Sequence, residues 1–406
     1  SDETIEQTVD NEIRAQYAGM EEEAAKNSLL PAIFWRNSVD TAKIFCVNGD
    51  YLADISAVGI LDAMMGETYD YDIYPVINAQ NLVIADLPAF VSENEEEMQK
   101  RYSQSAQAVY QEIVWPSLTS IASRTGAKMT CMMTPQFTYT DEEEPDGENV
   151  TYYLKRLKEE HAEAGLSADS REGIPLSEKI KQDQTFWQTY APSYRFLSLY
   201  ADGVKSIGEE SALPAEIRTV ALGSGASGQA VGYLNENVTL QPSTSSGIRH
   251  TFLDDFKVKC METALGYSNI TLDLYSMTYP EGDEDSWEKM SKKIAANLGT
   301  YWKAYEAFDA TTLTESDVRI RRFLALDYKQ QRAGNVITLS LEHREDAAWF
   351  LLRLHGEKVT EVAGGSFEEI EDGVYLILAE EDEVSVEVQT GEEWQYQDGG
   401  KRGDGI

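Results

Sequence analysis

Histidine and cysteine are scarce, four and three in 406 residues. The histidines are His161, His250, His343 and His355, and no two stand three to five positions apart. Metal motifs of the H-x-x-x-H and H-E-x-x-H kind are thereby excluded, and no metal or cofactor is expected from these residues. Cys46, Cys131 and Cys260 each lie beside apolar residues with no closely spaced partner, which reads as buried free thiols rather than a disulfide scaffold. No G-x-S-x-G elbow is present, so a Ser-His-Asp hydrolase lacks its signature. No apolar run approaches the length of a membrane-spanning helix.

Positive charge is also in short supply. Lys and Arg number 34 against 71 Asp and Glu, a formal net charge of −37. Without a basic patch such a chain repels phosphate backbones and anionic membranes, so nucleic acid is excluded as a partner. Neutral or cationic ligands, amino sugars among them, fit that field. A hydrophobic content of 42% and an aromatic content of 10% supply packed cores, and the length favours one large domain with a smaller one.

The order of the signals divides the chain into four parts. Residues 1–40 read as an acidic helical leader, 41–333 as an α/β barrel-like domain, 334–392 as a small antiparallel β-sandwich and 393–406 as a fraying tail. In the second part, apolar strand-like runs alternate with helical spacing, the pattern of a mostly parallel sheet. Trp115-Pro116 is expected to kink or divide a helix that starts at a capping box, Ser92 to Glu95. After Gly334 the period shifts to two, with strands expected at Asn335–Glu342, Ala348–Leu354, Val359–Val362, Gly373–Leu378 and Val384–Val388. A long helix is expected to start after Asp283-Glu284-Asp285-Ser286 and to run, with a break, to about Tyr328.

Candidate site residues come from strand exits, because ligands collect at the carboxyl ends of parallel strands. The run Ala42 to Val47 stops on Asn48-Gly49-Asp50, which is also ordinary turn chemistry. Asp202 and Asp273 end two further runs. The segment Gln241 to Asp255 offers Ser and Thr hydroxyls, then Arg249 and His250, then Asp254 and Asp255 in the first turn of a helix. Hydroxyls, a cation and carboxylates suit sugar recognition, while the same carboxylates can simply complement a helix dipole. Asp50, Asp255 and Asp273 are the candidate catalytic carboxylates, able to serve as acid and base. Asn48, Arg249, His250, Asp254 and Asp202 are the candidate substrate-binding residues. The string Gly223-Ser224-Gly225-Ala226-Ser227-Gly228 matches G-x-G-x-x-G, but Gly232 and Asn235-Glu236-Asn237 cut the required helix short.

In overall organisation, over Ala42 to Tyr328, the chain resembles exported bacterial proteins related to polysaccharide deacetylases, the NodB-homology fold. Asn48-Gly49-Asp50 corresponds to that family's first-strand acidic motif. The string Glu163 to Ser170 corresponds to the strand carrying its paired metal histidines, where Ser167 and Ser170 or Arg171 stand instead. The resemblance implies an α/β barrel and a divalent metal held by an aspartate and two histidines. Lacking the histidines, the chain is expected to be a catalytically degenerate deacetylase-like protein that binds or helps to process cell-wall or extracellular polysaccharide. An active carbohydrate hydrolase, either a deacetylase or a two-carboxylate glycosidase, is one alternative. A scaffold for exopolysaccharide assembly is the other. Ser1 to Arg14 is acidic and lacks an initiator Met, compatible with an extracellular or cell-surface protein anchored through a removed segment. Trp349, Phe350 and Tyr375 place aromatic rings in the β domain, as core or as a carbohydrate-facing surface.

Overall fold

The computed structural model describes residues 34–39, 42–91, 93–139, 144–170, 174–203, 207, 213–223, 229–303 and 306–390. The expected leader helix, the tail, Ser92, Arg171 and Ser224 to Gly228 lie outside the described residues. The chain falls into two compact units, Ser1–Leu52 and Ala53–Ile406.

The described part of the first unit is a hairpin of β1 (Phe34–Val39) and β2 (Ala42–Val47), antiparallel with Phe34 opposite Val47. Asn48, Gly49 and Asp50 follow it and are exposed.

The second unit contains β3 (Tyr71–Val76), β4 (Ala79–Ala85), β5 (Met129–Met133), β6 (Glu163–Ser167), β7 (Ser198–Ala201), β8 (Thr219–Leu222), β9 (Gly232–Tyr233), β10 (Thr239–Pro242), β11 (Ser245–Ser246), β12 (Tyr267–Asp273) and β13 (Ala310–Thr311). It continues with β14 (Asp327–Ala333), β15 (Val336–Glu342), β16 (Ala348–Leu354), β17 (Glu357–Ala363), β18 (Gly365–Glu371), β19 (Val374–Ala379) and β20 (Glu383–Thr390). The fold is mixed α/β. One sheet runs β11-β12-β4-β5-β6-β7-β8-β10-β9, with β13 beside β4, and every pair in it is parallel except β10 with β9. Every residue of β4 is buried, as expected of a central parallel strand covered on both faces.

This sheet curls. β10 lies near one end of the strand order and β11 at the other, yet only Ser243 and Thr244 separate them in the chain. The Thr244 N–H donates to Asn269 O of β12 at 2.8 Å, and the Ser243 N–H donates to Leu222 O of β8 at 3.0 Å. Val83, Ala85, Met132, Tyr200 and Ala221 pack together with Leu313, the first residue of the helix Leu313–Ala325. On the opposite face, Leu82, Ile84, Cys131, Ile270 and Leu272 pack into the largest core cluster with the helices Trp115–Thr125 and Trp287–Asn297.

The helix Leu313–Ala325 seals the amino-terminal end of the curl. Its Leu313 N–H donates to Thr130 Oγ1 at 3.0 Å, and the Thr314 hydroxyl donates to Glu163 at 2.6 Å. Ser316 and Asn81 both donate to the Gln241 side-chain oxygen, at 2.8 and 3.0 Å. A buried polar layer of this sort is stable only when nearly every member is partnered. With that end closed, ligand access is left to the carboxyl ends of the strands.

Two four-stranded antiparallel sheets, β14-β15-β20-β17 and β18-β19-β16-β3, share one core that includes Ile337, Leu339, Phe350, Tyr375, Ile377 and Val386. This sandwich departs from the sequence reading in its boundary. β3 comes from the stretch read as α/β domain, and it pairs antiparallel with β16, Trp349 opposite Val76. β14 takes in Asp327 and Tyr328, read as the end of a helix. Phe350 and Tyr375 are buried in the sandwich core, and Trp349 lies under the Arg319 guanidinium at 4.5 Å, so the aromatic residues pack internally rather than forming a carbohydrate-facing surface. The expected long helix is interrupted: Trp287–Asn297 passes into a π-helical turn, Leu298–Trp302, and the chain then forms β13. Trp115-Pro116 opens the helix Trp115–Thr125 directly after a π-helical turn, Tyr110–Val114.

Candidate functional site

Four strands of the curled sheet end on or just before an aspartate. Asp86 follows β4, Asp169 lies two residues beyond β6, Asp202 follows β7 and Asp273 ends β12. All four act electrostatically on Tyr200 of β7, where burial first and then these carboxylates hold the phenol strongly protonated. Tyr200 therefore stands as a neutral hydroxyl within the field of four carboxylates.

Asp86 is wholly buried and has a left-handed backbone, φ +60°. That conformation is uncommon outside glycine and tolerated best by Asn and Asp. The Ser167 hydroxyl donates to Asp86 Oδ1 at 2.6 Å, and the Asp169 N–H donates to Ser167 Oγ at 3.1 Å. No N–H or hydroxyl group of the described residues donates to Asp86 Oδ2. Burial, and then the charges of Asp169 and Asp273, push Asp86 well above the usual carboxylate range. Asp169 is half-buried and pushed up to about 7, by burial first and then by Asp273 and Asp202. A hydrogen bond also links Asp169 to Asp86.

Asp202 and Asp273 form the solvent-facing rim. Asp273 is reachable by solvent yet crowded by protein, and that crowding raises it, against the Tyr275 N–H donated to its Oδ1 at 2.9 Å. Gly223 ends β8 against this rim. A methyl group built there would lie 2.7 Å from Tyr200 Oη and 2.8 Å from Asp202 Oδ1, so glycine is what lets both groups occupy their places.

One lysine stands inside the site. Lys179, of the helix Leu176–Tyr190, is buried; it donates to Thr134 Oγ1 at 3.0 Å and Tyr139 Oη at 2.7 Å, and it pairs with Asp183 at 3.1 Å. Tyr139 in turn donates to Asp183 Oδ1 at 2.7 Å. The lysine's positive charge opposes the rise of both Asp86 and Asp169. Behind it, buried Glu93 accepts from the Phe137 and Thr138 N–H groups at 2.8 and 2.9 Å and from the Tyr279 hydroxyl, which fixes the loop after β5. Phe137 meets Tyr275 and Tyr279 edge-on, and the rings of Tyr275 and Tyr279 are tilted against each other.

Of the residues singled out from sequence, the structure gathers Asp202 and Asp273 here. Arg249 is close enough for its charge to act on Asp273, and it pairs with Asp285 at 3.7 Å. His250 hydrogen-bonds Ser245 Oγ at 3.1 Å and is lowered mainly by burial. Asp254 is the reciprocal partner of Thr251 in a capping box at the start of the helix Phe252–Leu265, and Asp255 pairs with Lys259 at 3.0 Å. Both therefore serve the helix terminus and a surface ion pair. Asp50 and Asn48 follow an antiparallel hairpin in the other unit, not a strand of the parallel sheet. Asp86, Asp169, Tyr200 and Lys179 were missed from sequence. Asp86 satisfies the criterion applied to Asp50, an apolar run ending on a carboxylate, and does so on a fully buried strand.

Among the described residues no group of three or more His, Cys, Asp or Glu side chains is arranged to hold a metal ion. At the end of β6, Ser167 donates a hydrogen bond to Asp86 rather than offering an imidazole. The donor set does not fit the aspartate-and-two-histidine metal site that the deacetylase resemblance implies.

A protein-family model described as an uncharacterised protein conserved in bacteria (DUF2194) matches residues 9–172. No curated protein matches the chain. Among solved structures, the chain is similar to one described as a polysaccharide deacetylase from Mycobacterium smegmatis, at 9% identity and a TM-score of 0.33, covering 59% of this chain and 90% of that one. A second is described as a glycoside hydrolase/deacetylase from Parabacteroides distasonis, at 9% identity and a TM-score of 0.35, covering 69% and 82%. A third, an endo-β1,6-glucanase, is 9% identical with a TM-score of 0.31, covering 84% and 90%.

Proposed function

We propose that the chain is a carbohydrate-active hydrolase of cell-wall or extracellular polysaccharide, working through paired carboxylates on a deacetylase-like barrel. One observation carries this reading: Asp86, Asp169, Asp202 and Asp273 leave four strands of one curled sheet and surround Tyr200, with the opposite end of the curl sealed. Asp169, at about 7, is the group able to hold a proton at neutral pH and give it up. In glycoside cleavage it would protonate the leaving oxygen as the C–O bond breaks. Asp202 would accept a proton from the water that attacks the sugar carbon. Tyr200 would donate a hydrogen bond to a sugar hydroxyl, and Tyr275 and Tyr279 would offer ring faces.

This departs from the catalytically degenerate deacetylase expected from sequence by replacing the metal with carboxylate acid–base chemistry. Incubating the protein with a panel of acetylated and unacetylated polysaccharides, with parallel assays of reducing ends and of released acetate, tests it. New reducing ends that disappear in Asp169→Asn support glycoside hydrolysis. Acetate release without chain cleavage would favour the deacetylase, and neither product from any glycan would return the protein to a binding or scaffold role.

A further inference from the structure

We propose that Glu93 is a positioning residue of this site: without meeting substrate, its carboxylate ties the exits of β4, β5 and β12 together and so sets where the β12 exit holds Asp273, Tyr275 and Tyr279. The inference rests on the carbohydrate reading and adds to it a residue outside the four aspartates.

Glu93 stands on the exit of β4, beyond Asp86, and is 5% exposed. Its two oxygens reach different elements. Oε1 accepts the N–H groups of Phe137 and Thr138, at 2.8 and 2.9 Å, on the exit of β5. Oε2 accepts the hydroxyl of Tyr279, on the exit of β12, and that of Thr138 at 3.4 Å. The next residue repeats the link, since the Asn94 side-chain amide donates to Thr278 O at 2.8 Å. From Tyr279 the path to the aspartates is one turn long: the Tyr279 N–H donates to Tyr275 O at 3.0 Å, and the Tyr275 N–H donates to Asp273 Oδ1 at 2.9 Å. The exit of β5 carries Thr134 and Tyr139, which hold Lys179. One buried group thus joins three of the loops from which the site is built.

A buried carboxylate is costly to desolvate and persists where donors converge on it. An apolar side chain of the same size would fill the space but leave the Phe137 and Thr138 N–H groups, both on buried residues, without their acceptor. Substitutions therefore separate the tether from the bulk. Glu93→Gln keeps an oxygen for both N–H groups and turns its amide toward the Tyr279 hydroxyl, whose oxygen can accept. Glu93→Ala removes the tether to both exits. Tyr279→Phe keeps the ring and the bonds to Oε1, and deletes the hydroxyl through which the carboxylate holds the β12 exit.

The three variants, made in the full chain, are compared with the wild type by amide hydrogen exchange and by steady-state kinetics on the polysaccharide that the wild type cleaves in the panel assay. In Tyr279→Phe the Tyr279 amide is expected to exchange about tenfold faster, while that of Val83 in β4, which reports opening of the sheet, changes much less. KM is expected to rise about fivefold with kcat within about twofold, the signature of lost binding rather than lost chemistry. Glu93→Ala is expected to do the same or more, and Glu93→Gln to recover most of the loss. Exchange at Tyr279 and Val83 rising in step marks Glu93 as a stability residue and overturns the proposal. So does a Tyr279→Phe protein with unchanged KM, a result that stands even if Glu93→Ala fails to fold. Glu93→Gln as impaired as Glu93→Ala assigns the effect to charge instead of the tether and also overturns it. If the wild type cleaves no polysaccharide, the carbohydrate reading falls, and the exchange rates alone decide whether Glu93 holds the β12 exit.

Discussion

Asp169 is the residue whose environment says most about its use. Burial and two neighbouring carboxylates bring it to about 7, where it both holds and releases a proton. If it is the proton donor, activity falls as pH rises through about 7. Asp169→Asn lowers kcat by about 10²- to 10⁴-fold, the usual worth of a general acid, and initial rates between pH 5 and 9 check both. The same shift acts on stability. Folded Asp169 binds its proton more tightly than unfolded aspartate does, so its contribution is full below about pH 4 and is lost as pH rises through about 7. Melting temperatures measured from pH 5 to 8 are therefore expected to fall in the wild type. Asp169→Asn flattens that decline, recovering on the order of 1 to 2 kcal/mol at pH 8.

Gly223 supplies a second residue-scale test. The Cβ of Gly223→Ala would meet Tyr200 Oη at 2.7 Å, Asp202 Oδ1 at 2.8 Å and the Asp202 backbone at 3.2 Å, and Tyr200 is buried. Activity is expected to drop tenfold or more, since small misplacements at a reacting centre are costly, with a lower urea midpoint from the same overpacking. An unchanged rate would show that Asp202 does not need its present position.

At the scale of elements, legibility follows burial. β15 and β16 were readable because alternating or continuous apolar residues announce buried strands. β14 and β18 were not. Each lies at an edge of its sheet, and Asp-Tyr-Lys-Gln-Gln-Arg-Ala and Gly-Ser-Phe-Glu-Glu-Ile-Glu are mostly exposed, the charged and polar texture that protects edges from pairing with other chains. Without a buried face they carry no period, and so neither was expected as a strand. The site was half legible for a related reason. Asp202 and Asp273 were found as strand ends, but choosing Asp50 over Asp86 required knowing that β2 belongs to a hairpin and β4 to the parallel sheet, which is a fact of pairing.

The helix Leu313–Ala325 is the element on which the closed end of the curl depends. Thr312 accepts from the Glu315 N–H, and Glu315 accepts from the Thr312 N–H. Thr312→Ala is expected to cost about 1 kcal/mol by chemical denaturation, as loss of an N-cap generally does. The helix Ala57–Gly66 has a different weakness, because a Cβ at Gly59 would come within 2.5 Å of the Cys260 backbone. Backbone cannot swing aside as a side chain can, so Gly59→Ala should cost more, about 1 to 3 kcal/mol. The same pair of denaturation curves decides the order.

For the whole molecule, the question is whether the parallel sheet and the sandwich are separable. A boundary at 333/334 implies that the first would fold without the second. The pairing argues otherwise, since β3 reaches the sandwich from a position only two residues ahead of β4 and pairs with Trp349 to Leu354 of β16. Its Ile73 is buried in the sandwich core, and Val76 packs against Leu351 and Leu376. Ending the chain at residue 333 would strip β3 of its partner among the described strands and expose these apolar groups beside the central strand of the parallel sheet. It would also leave an unpaired edge, open to association with other chains. A chain of residues 53–333 is therefore expected to be aggregated or to lack a cooperative thermal transition, whereas residues 53–390 should melt in one transition. Circular dichroism and size-exclusion chromatography on the two chains distinguish the cases. A soluble, cooperatively melting 53–333 would show that β3 is dispensable to the parallel sheet and that the sandwich is an appended domain after all.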